Sequence, residues 1–154
     1  MLMAFRQVKD LLVWIHDFHA RLGEQYAQLA EVQQDERMKM ALAFLADRER
    51  RMSSGMLAYL EEGREGLLTT WLIDSQEFGH PDVLERIPRC LGCRDTHDLL
   101  ANVMTAHQTL KDMYRLRAEL ASIPEEAELF EQLAEQQDAE ARLQTRDFAR
   151  LEMY

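Results

Sequence analysis

Glycine and proline are scarce in this 154-residue sequence, which contains six glycines and three prolines. Four of the glycines and two of the prolines lie between residues 63 and 95. Because both residue types disfavour helix interiors, their scarcity elsewhere favours long helices on either side of that segment. Those flanking regions are rich in Ala, Leu, Glu, Gln, Arg and Met, which are good helix formers. The sequence therefore predicts an all-α protein.

Basic residues are outnumbered by acidic ones, 18 against 28, which gives a net charge of −10 at pH 7. Nucleic acids and anionic membranes bind basic faces, so neither is expected as a partner. The sequence has no apolar run of the ~18 residues that span a membrane, and its start lacks the cleavage site of a signal peptide. With 47% hydrophobic and 30% charged residues, the chain is typical of a soluble globular protein, expected by default in the cytoplasm.

Cysteine occurs only twice, as Cys90 and Cys93 in RCLGCRD. Two cysteines are consistent with a reducing compartment. With His97 close by, this Cys-x-x-Cys could supply half of a zinc site, but the sequence has no second clear pair and no preceding βαβ pattern. We interpret the segment as a helix-capping turn with ordinary cysteines, and a redox or metal role is the alternative.

Four helices are predicted from apolar residues that recur every three or four positions. Their expected ranges are about 5–31, 35–62, 95–121 and 122–153. The stripes expected to face inwards are Leu12, Ile15, His19, Leu22 and Tyr26; Met38, Leu42, Leu45, Glu49, Met52, Met56 and Tyr59; Leu100, Val103, His107, Leu110 and Tyr114; and Phe130, Leu133, Gln137, Glu140, Gln144, Phe148 and Leu151. The fourth helix also fits a second stripe, made of Leu129, Leu133, Gln136, Glu140 and Leu143.

The ends of these helices have recognisable signals. Asp35 is expected to cap the second helix and Gly63 to end it. Ser122 is expected to cap the fourth helix, with Pro124 in its first turn and Glu125 completing a capping box. Short links join helices one and two, and likewise three and four.

The domain organisation follows from these links. Helical hairpins are expected at about 5–62 and 96–153, and residues 63–95 form a long crossover between them. We expect both hairpins to belong to a single domain spanning residues 1–154.

An internal repeat relates the two hairpins. A shift of 88 positions aligns His19 with His107 and Tyr26 with Tyr114. The same shift aligns further identical residues, namely Asp10, Leu11, Leu12, Leu22, Ala30, Glu31, Leu45 and Ala46 with Asp98, Leu99, Leu100, Leu110, Ala118, Glu119, Leu133 and Ala134. We expect two hairpins related by a pseudo-two-fold axis.

Each inward stripe carries a polar or sulfur-containing residue near the middle of its helix. These residues are His19, Glu49, Met52, His107, Gln137 and Glu140. A buried charge such as that of Glu49 is costly unless a partner pairs with it. We therefore predict that His19, Glu49, His107 and Glu140 meet in one polar centre, with Tyr26 and Tyr114 as hydroxyl donors beside it.

These features together resemble the ferritin-like superfamily, most closely its rubrerythrin-like branch, in which a long crossover joins two helical hairpins. In that family, helices one and three each supply a Glu seven residues before a Tyr, and helices two and four each supply Glu-x-x-His. Here HARLGEQY and HQTLKDMY match the first pattern, with His19 and His107 in the Glu positions. The segments LADRERRM and LAEQQDAE match the second pattern at Glu49, Met52, Gln137 and Glu140.

The resemblance implies a ferritin-like four-helix bundle, but the ligand positions depart from the family. The usual four Glu and two His neutralise two iron ions, whereas Gln137 cannot ionise and Met52 replaces a histidine. The resemblance therefore implies an eroded di-iron centre without normal oxidase or peroxidase activity. Our first expectation is a metal-free hydrogen-bonded network with no cofactor. The alternative is one divalent ion, such as zinc, iron or manganese, on His19, Glu49, His107 and Glu140.

Two functions follow from these alternatives. The first is a non-catalytic or regulatory protein that acts through protein contacts, as a homodimer formed through the apolar segment LLTTWLI at residues 67–73. The second is a metal-binding protein or oxidoreductase with a remodelled His/Glu centre in the bundle core. No protein partner other than a second copy is indicated.

Overall fold

The chain is helical in the computed structural model, which describes residues 7–73 and 95–153. Its helices are α1 (Val8–Val32), α2 (Glu36–Glu62), α3 (Glu65–Leu68), α4 (Thr96–Glu119) and α5 (Pro124–Leu151). Within the described ranges the β-structure is limited to an isolated bridge between Gln7 and Trp71. The predicted all-α class is confirmed. Cys90 and Cys93 lie outside the described residues.

Residues 7–71 belong to one compact unit, which is built from α1, α2 and the short α3. The helices are antiparallel, since His16 contacts Ser53 at one level and His19 contacts Glu49 one turn further along α1. The predicted stripe of α1 is buried along its whole length. That of α2 is buried except for Met52 and Tyr59, which are half-buried. The 3.6-residue period of the apolar positions thus determines which faces of this hairpin are inside.

Residues 72, 73 and 95–153 belong to a second compact unit, built from α4 and α5. The stripe predicted for α4 is buried from Val103 to Tyr114, and Leu100 is half-buried. On α5 the first of the two predicted stripes faces inwards, because Gln137 and Gln144 are buried while Gln136 is exposed. Each unit is therefore a helical hairpin, and their assembly into one ferritin-like bundle domain stays a prediction.

The helix ends confirm most of the predicted caps. The Asp35 side chain accepts a hydrogen bond of 3.0 Å from the Met38 N–H at the start of α2. Asp95 caps α4 in the same way. At the end of α2, the N–H of Gly63 donates to the Tyr59 carbonyl at 2.9 Å.

The predicted cap of α5 is wrong. Ile123, not Ser122, is the N-cap, because Pro124 occupies the first helical position and holds the preceding residue in extended backbone. The acidic partner is also one residue later than predicted. The backbone N–H of Ser122 donates to the carboxylate of Glu126 at 3.3 Å.

Replacement of Asp35 by alanine is expected to lower the free energy of unfolding by about 1 kcal/mol, because the Met38 N–H loses its acceptor. Asparagine can still accept that hydrogen bond, so Asp35→Asn serves as the matched control and should cost much less. Urea unfolding followed by circular dichroism measures both. Equal losses for the two variants would show that the cap does not stabilise α2.

Candidate polar centres of the two hairpins

The first hairpin contains a buried pair formed by His19 on α1 and Glu49 on α2. The His19 Nδ1–H donates to Glu49 Oε2 at 2.6 Å, and the two residues are 2% and 3% exposed. A buried carboxylate needs a hydrogen-bonded partner, and this contact supplies one for Glu49. His19 is therefore confirmed as a histidine partner of Glu49.

Gly23 allows the two helices to approach closely beside this pair. A Cβ atom at position 23 would lie 3.3 Å from the Ala46 carbonyl oxygen and 3.3 Å from Glu49 Cβ. Both distances are tighter than ordinary van der Waals contact. A side chain at position 23 would therefore push against the backbone and the carboxylate-bearing residue of α2.

Tyr26 lies one helical turn beyond Gly23 and is buried, and its hydroxyl makes no hydrogen bond with any residue in the described ranges. Burial raises the pKa of this phenol well above its ordinary value, and the nearby charge of Glu49 raises it further. The hydroxyl therefore stays protonated in the folded protein under conditions that ionise an exposed tyrosine. Its predicted role as a hydroxyl donor to the polar centre is not seen.

Replacement of Tyr26 by phenylalanine is expected to raise the free energy of unfolding by about 1 kcal/mol near pH 8, because it removes a buried hydroxyl that has no partner. The difference should widen above pH 10. The raised pKa of Tyr26 makes the unfolded chain lose that proton first, so wild-type stability falls as pH rises and the variant escapes this loss. Urea unfolding at pH 8 and pH 10.5 checks both parts, and a destabilised variant would contradict them.

The second hairpin contains a longer polar chain centred on His107. The Nε2–H of His107 donates to Gln144 Oε1 at 2.9 Å. Its other ring nitrogen, Nδ1, accepts a hydrogen bond from the side-chain amide of Gln137. The amide of Gln144 then donates to the carboxylate of Glu140 at 3.1 Å. All of these donors point the same way along the chain, from Gln137 through His107 and Gln144 to the half-buried Glu140.

The two centres use equivalent positions of the internal repeat. His19 pairs with Glu49, and the repeat-related His107 pairs with the repeat-related Gln137, both across 30 residues. The chemistry differs, because the first pair includes a carboxylate and the second a neutral amide. The structure thus brings together the predicted residues within each hairpin. The meeting of His19, Glu49, His107 and Glu140 in one centre stays a prediction.

Two other predicted neighbours are also accounted for. Met52 is half-buried on α2. Tyr114 is buried and stacks on the ring of Phe130, with 6.4 Å between ring centroids.

Sequence reasoning missed the roles of several polar residues in the core, among them Gln144, Ser53 and Glu126. Gln144 lies on the predicted inward stripe, seven residues or about two helical turns after Gln137. This spacing places both glutamines on one face of the helix and could have indicated that both reach His107. Ser53 is buried, and its carbonyl accepts a hydrogen bond of 2.8 Å from the ring of His16. Glu126 is also buried. Burial raises the pKa of its carboxyl, which the Ser122 N–H and the charge of Arg117 partly oppose.

Across residues 7–73 and 95–153, no three His, Cys, Asp or Glu side chains are grouped so that they could hold a metal ion. His107 has hydrogen bonds at both ring nitrogens, so it has no lone pair left for a metal in this arrangement. Gln137, at the position of a bridging carboxylate in the resembled family, supplies no charge.

Comparisons with protein-family models, with curated proteins and with solved structures gave no match to this chain. Among the helices described, none combines the length and the apolar character needed to cross a bilayer.

Proposed function

We propose that this protein is a ferritin-like four-helix bundle whose di-iron centre has been replaced by hydrogen-bonded polar pairs, and that it acts through protein contacts without catalysis. The observation that carries the proposal is the environment of His107. Two neutral glutamine amides, from Gln137 and Gln144, occupy both nitrogens of its ring. A histidine held in this way supports a packed core and has no free position for a substrate or an ion.

The first hairpin supports the same function. The hydrogen bond between His19 and Glu49 satisfies a donor and an acceptor that would otherwise be buried without a partner. The hydrogen bonds described for each centre join residues of the same hairpin. A protein with this interior would bind other molecules at its surface, since the polar groups of the two centres already bind one another.

The alternative is a metal-dependent protein with one zinc, iron or manganese ion on His19, Glu49, His107 and Glu140. The observation in its favour is the hydrogen bond from His19 Nδ1–H to Glu49, because proteins often orient a metal-binding imidazole through a carboxylate on its other nitrogen. Against it stands the occupied ring of His107. Metal content therefore separates the two functions.

Thermal melting with and without a strong chelator tests the proposal, using protein purified without a metal-affinity tag. We expect the chelator to leave the melting temperatures of wild type and Glu49→Gln unchanged, because a metal-free core gives it no ion to remove. Glu49→Gln should still fold, since glutamine can accept the His19 hydrogen bond. The exposed Glu61 gives the matched control, Glu61→Gln. A bound ion would contribute about 3 to 4 kcal/mol at ~100 to 1,000 times its Kd. A chelator-dependent loss in wild type, absent from Glu49→Gln, would favour the metal-dependent alternative.

Iron oxidation gives a second readout of the same proposal. We expect no stoichiometric uptake of two ferrous ions per chain and no rapid oxidation of iron by oxygen. The reason is that Gln137 cannot neutralise a second ferric ion. Elemental analysis after incubation with ferrous iron measures the uptake, and two irons per chain with fast oxidation would refute the proposal.

A further inference from the structure

The exposed side of the first hairpin carries a groove between α1 and α2, which we call the outer groove. It has a volume of about 740 Å³. Half of its lining residues are small, namely Ala20, Ala27, Ser53 and Ser54, and the other half are longer polar residues that include Glu24 and Arg50. With so little side-chain bulk at its floor, the groove would let another helix approach the backbones of α1 and α2 closely.

Two large apolar side chains extend the groove towards the start of α1. Val13 lies seven residues before Ala20, and Leu57 lies seven residues after Arg50, so each continues a ridge of the groove. Val13 is 45% exposed and Leu57 is 41% exposed. Contact between helices would bury both side chains, which are otherwise in water.

Four charged residues, three that line the groove and Lys9 near the start of α1, have no ion-pair partner within the hairpin. Lys9, Glu24, Glu31 and Arg50 form no ion pair with any residue in the part of the chain that the structure describes. By contrast, Arg51 on α2 pairs with Asp47 at 3.0 Å. The groove therefore presents both signs of charge, spaced along one side of the hairpin and available for another molecule.

We propose that the outer groove binds a second copy of this chain, with the two α1 helices antiparallel and crossing at Ala20. A two-fold axis through that crossing pairs positions at equal distances on opposite sides of Ala20. Lys9 of each copy then faces Glu31 of the other, and Val13 of each copy faces the small Ala27 of the other. Opposite charges meet at both ends, and a larger apolar side chain meets a smaller one between them.

Arg50 completes the charge complementarity at the centre. Its neighbour Glu49 pairs with His19, so Arg50 lies beside Ala20, at the level of the proposed crossing. The Glu24 carboxylate of the second copy lies one helical turn, about 5.4 Å, from the crossing, a distance that an extended arginine side chain can span. Arg50 can therefore pair with a carboxylate that would otherwise add to the mutual repulsion of two chains of net charge −10.

The proposed dimer rests on the proposed function only because both require protein contacts. The outer groove is a different surface from the crossover segment 67–73, which the sequence suggested for a homodimer. Sedimentation equilibrium at several concentrations up to about 100 µM, without added metal, measures the dimer dissociation constant. We expect Ala20→Glu to raise that constant at least about a hundredfold, because it places two carboxylates at the crossing. Ala139→Glu makes the same change at an exposed position of α5 and should leave the constant unchanged.

Trp71→Ser decides between the two surfaces, since Trp71 is an exposed apolar residue of the crossover segment. We expect it to leave the dimer intact. A monomeric wild type at every concentration would overturn the proposal. So would a dimer that Trp71→Ser dissociates and Ala20→Glu does not. Neither outcome bears on the metal content, so this proposal and the proposed function can fail separately.

Charge reversal tests the antiparallel register itself. Lys9→Glu and Glu31→Lys are each expected to weaken self-association about tenfold, because both symmetric pairs change from attractive to repulsive. An equimolar mixture of the two variants should associate again. In that mixed dimer the two substituted positions face each other, as do the two unsubstituted ones, so both pairs are opposite in charge. Failure of the mixture to associate more tightly than either variant alone would overturn the register, and it remains decisive if Ala20→Glu does not fold.

Discussion

Replacement of Glu49 by alanine is expected to lower the free energy of unfolding by about 3 to 5 kcal/mol, because it leaves the His19 imidazole buried without its acceptor. The effect should be much larger than that of Glu49→Gln, which keeps an acceptor at nearly the same place. The cost combines the lost hydrogen bond, the unsatisfied N–H of His19 and the cavity left by the side chain. Urea unfolding of the three proteins gives the comparison.

Removal of both partners provides the control for this effect. In the double variant His19→Leu with Glu49→Met, apolar side chains of similar size fill the same space and no buried polar group is left unpaired. Its free energy of unfolding is expected to lie within about 2 kcal/mol of wild type. The double-mutant cycle, with His19→Leu and Glu49→Met as its single variants, measures the coupling free energy between the two residues. A double variant that is no more stable than Glu49→Ala would show that the pair itself does not explain the loss.

Replacement of Gln144 by leucine is expected to lower the free energy of unfolding by about 2 to 3 kcal/mol. Gln144 is fully buried, and its side chain accepts the His107 N–H and donates to Glu140. Leucine has a similar size but neither function, so the Nε2–H of His107 would be buried without an acceptor. Thermal and urea unfolding measure the loss.

An exposed glutamine of the same helix gives the matched control. Gln132 faces solvent on α5, and Gln132→Leu is expected to change the free energy of unfolding by no more than about 0.5 kcal/mol. If Gln144→Leu costs as little as Gln132→Leu, the His107 chain does not stabilise the hairpin. In that case hydrogen bonds to His107 would not explain why neutral glutamines occupy this part of the core.

The faces of the helices could be predicted from the sequence because apolar residues recur with the helical period. Leu12, Ile15, Leu22 and Leu45 are buried where the period places them, and the same period identified His19 and Glu49 as inward polar residues. Asp35 could be predicted as a cap because its carboxylate accepts a hydrogen bond from the Met38 N–H, three residues further along the chain, and needs no tertiary contact to do so.

The polar partners could be predicted less well, because a stripe gives the face of a residue and not the direction of its hydrogen bonds. Gln144 could have bonded to water, to backbone or to a side chain, and only the position of α4 brings His107 within reach. The cap of α5 was missed for a local reason. Ser122 has the better capping side chain, but the ring of Pro124 restricts the residue before it and so sets the start of the helix at Ile123.

The short sequence separation of the buried pairs has a consequence for folding kinetics. His19 and Glu49 are 30 residues apart in the chain, as are His107 and Gln137, and His107 and Gln144 are 37 apart. Closing loops of this length loses little chain entropy, and proteins rich in such local contacts fold quickly. The polar groups of each hairpin can therefore pair without waiting for contacts between distant parts of the chain. Early pairing within each hairpin shortens the time during which these helices expose an apolar face to other molecules, and so limits aggregation during folding.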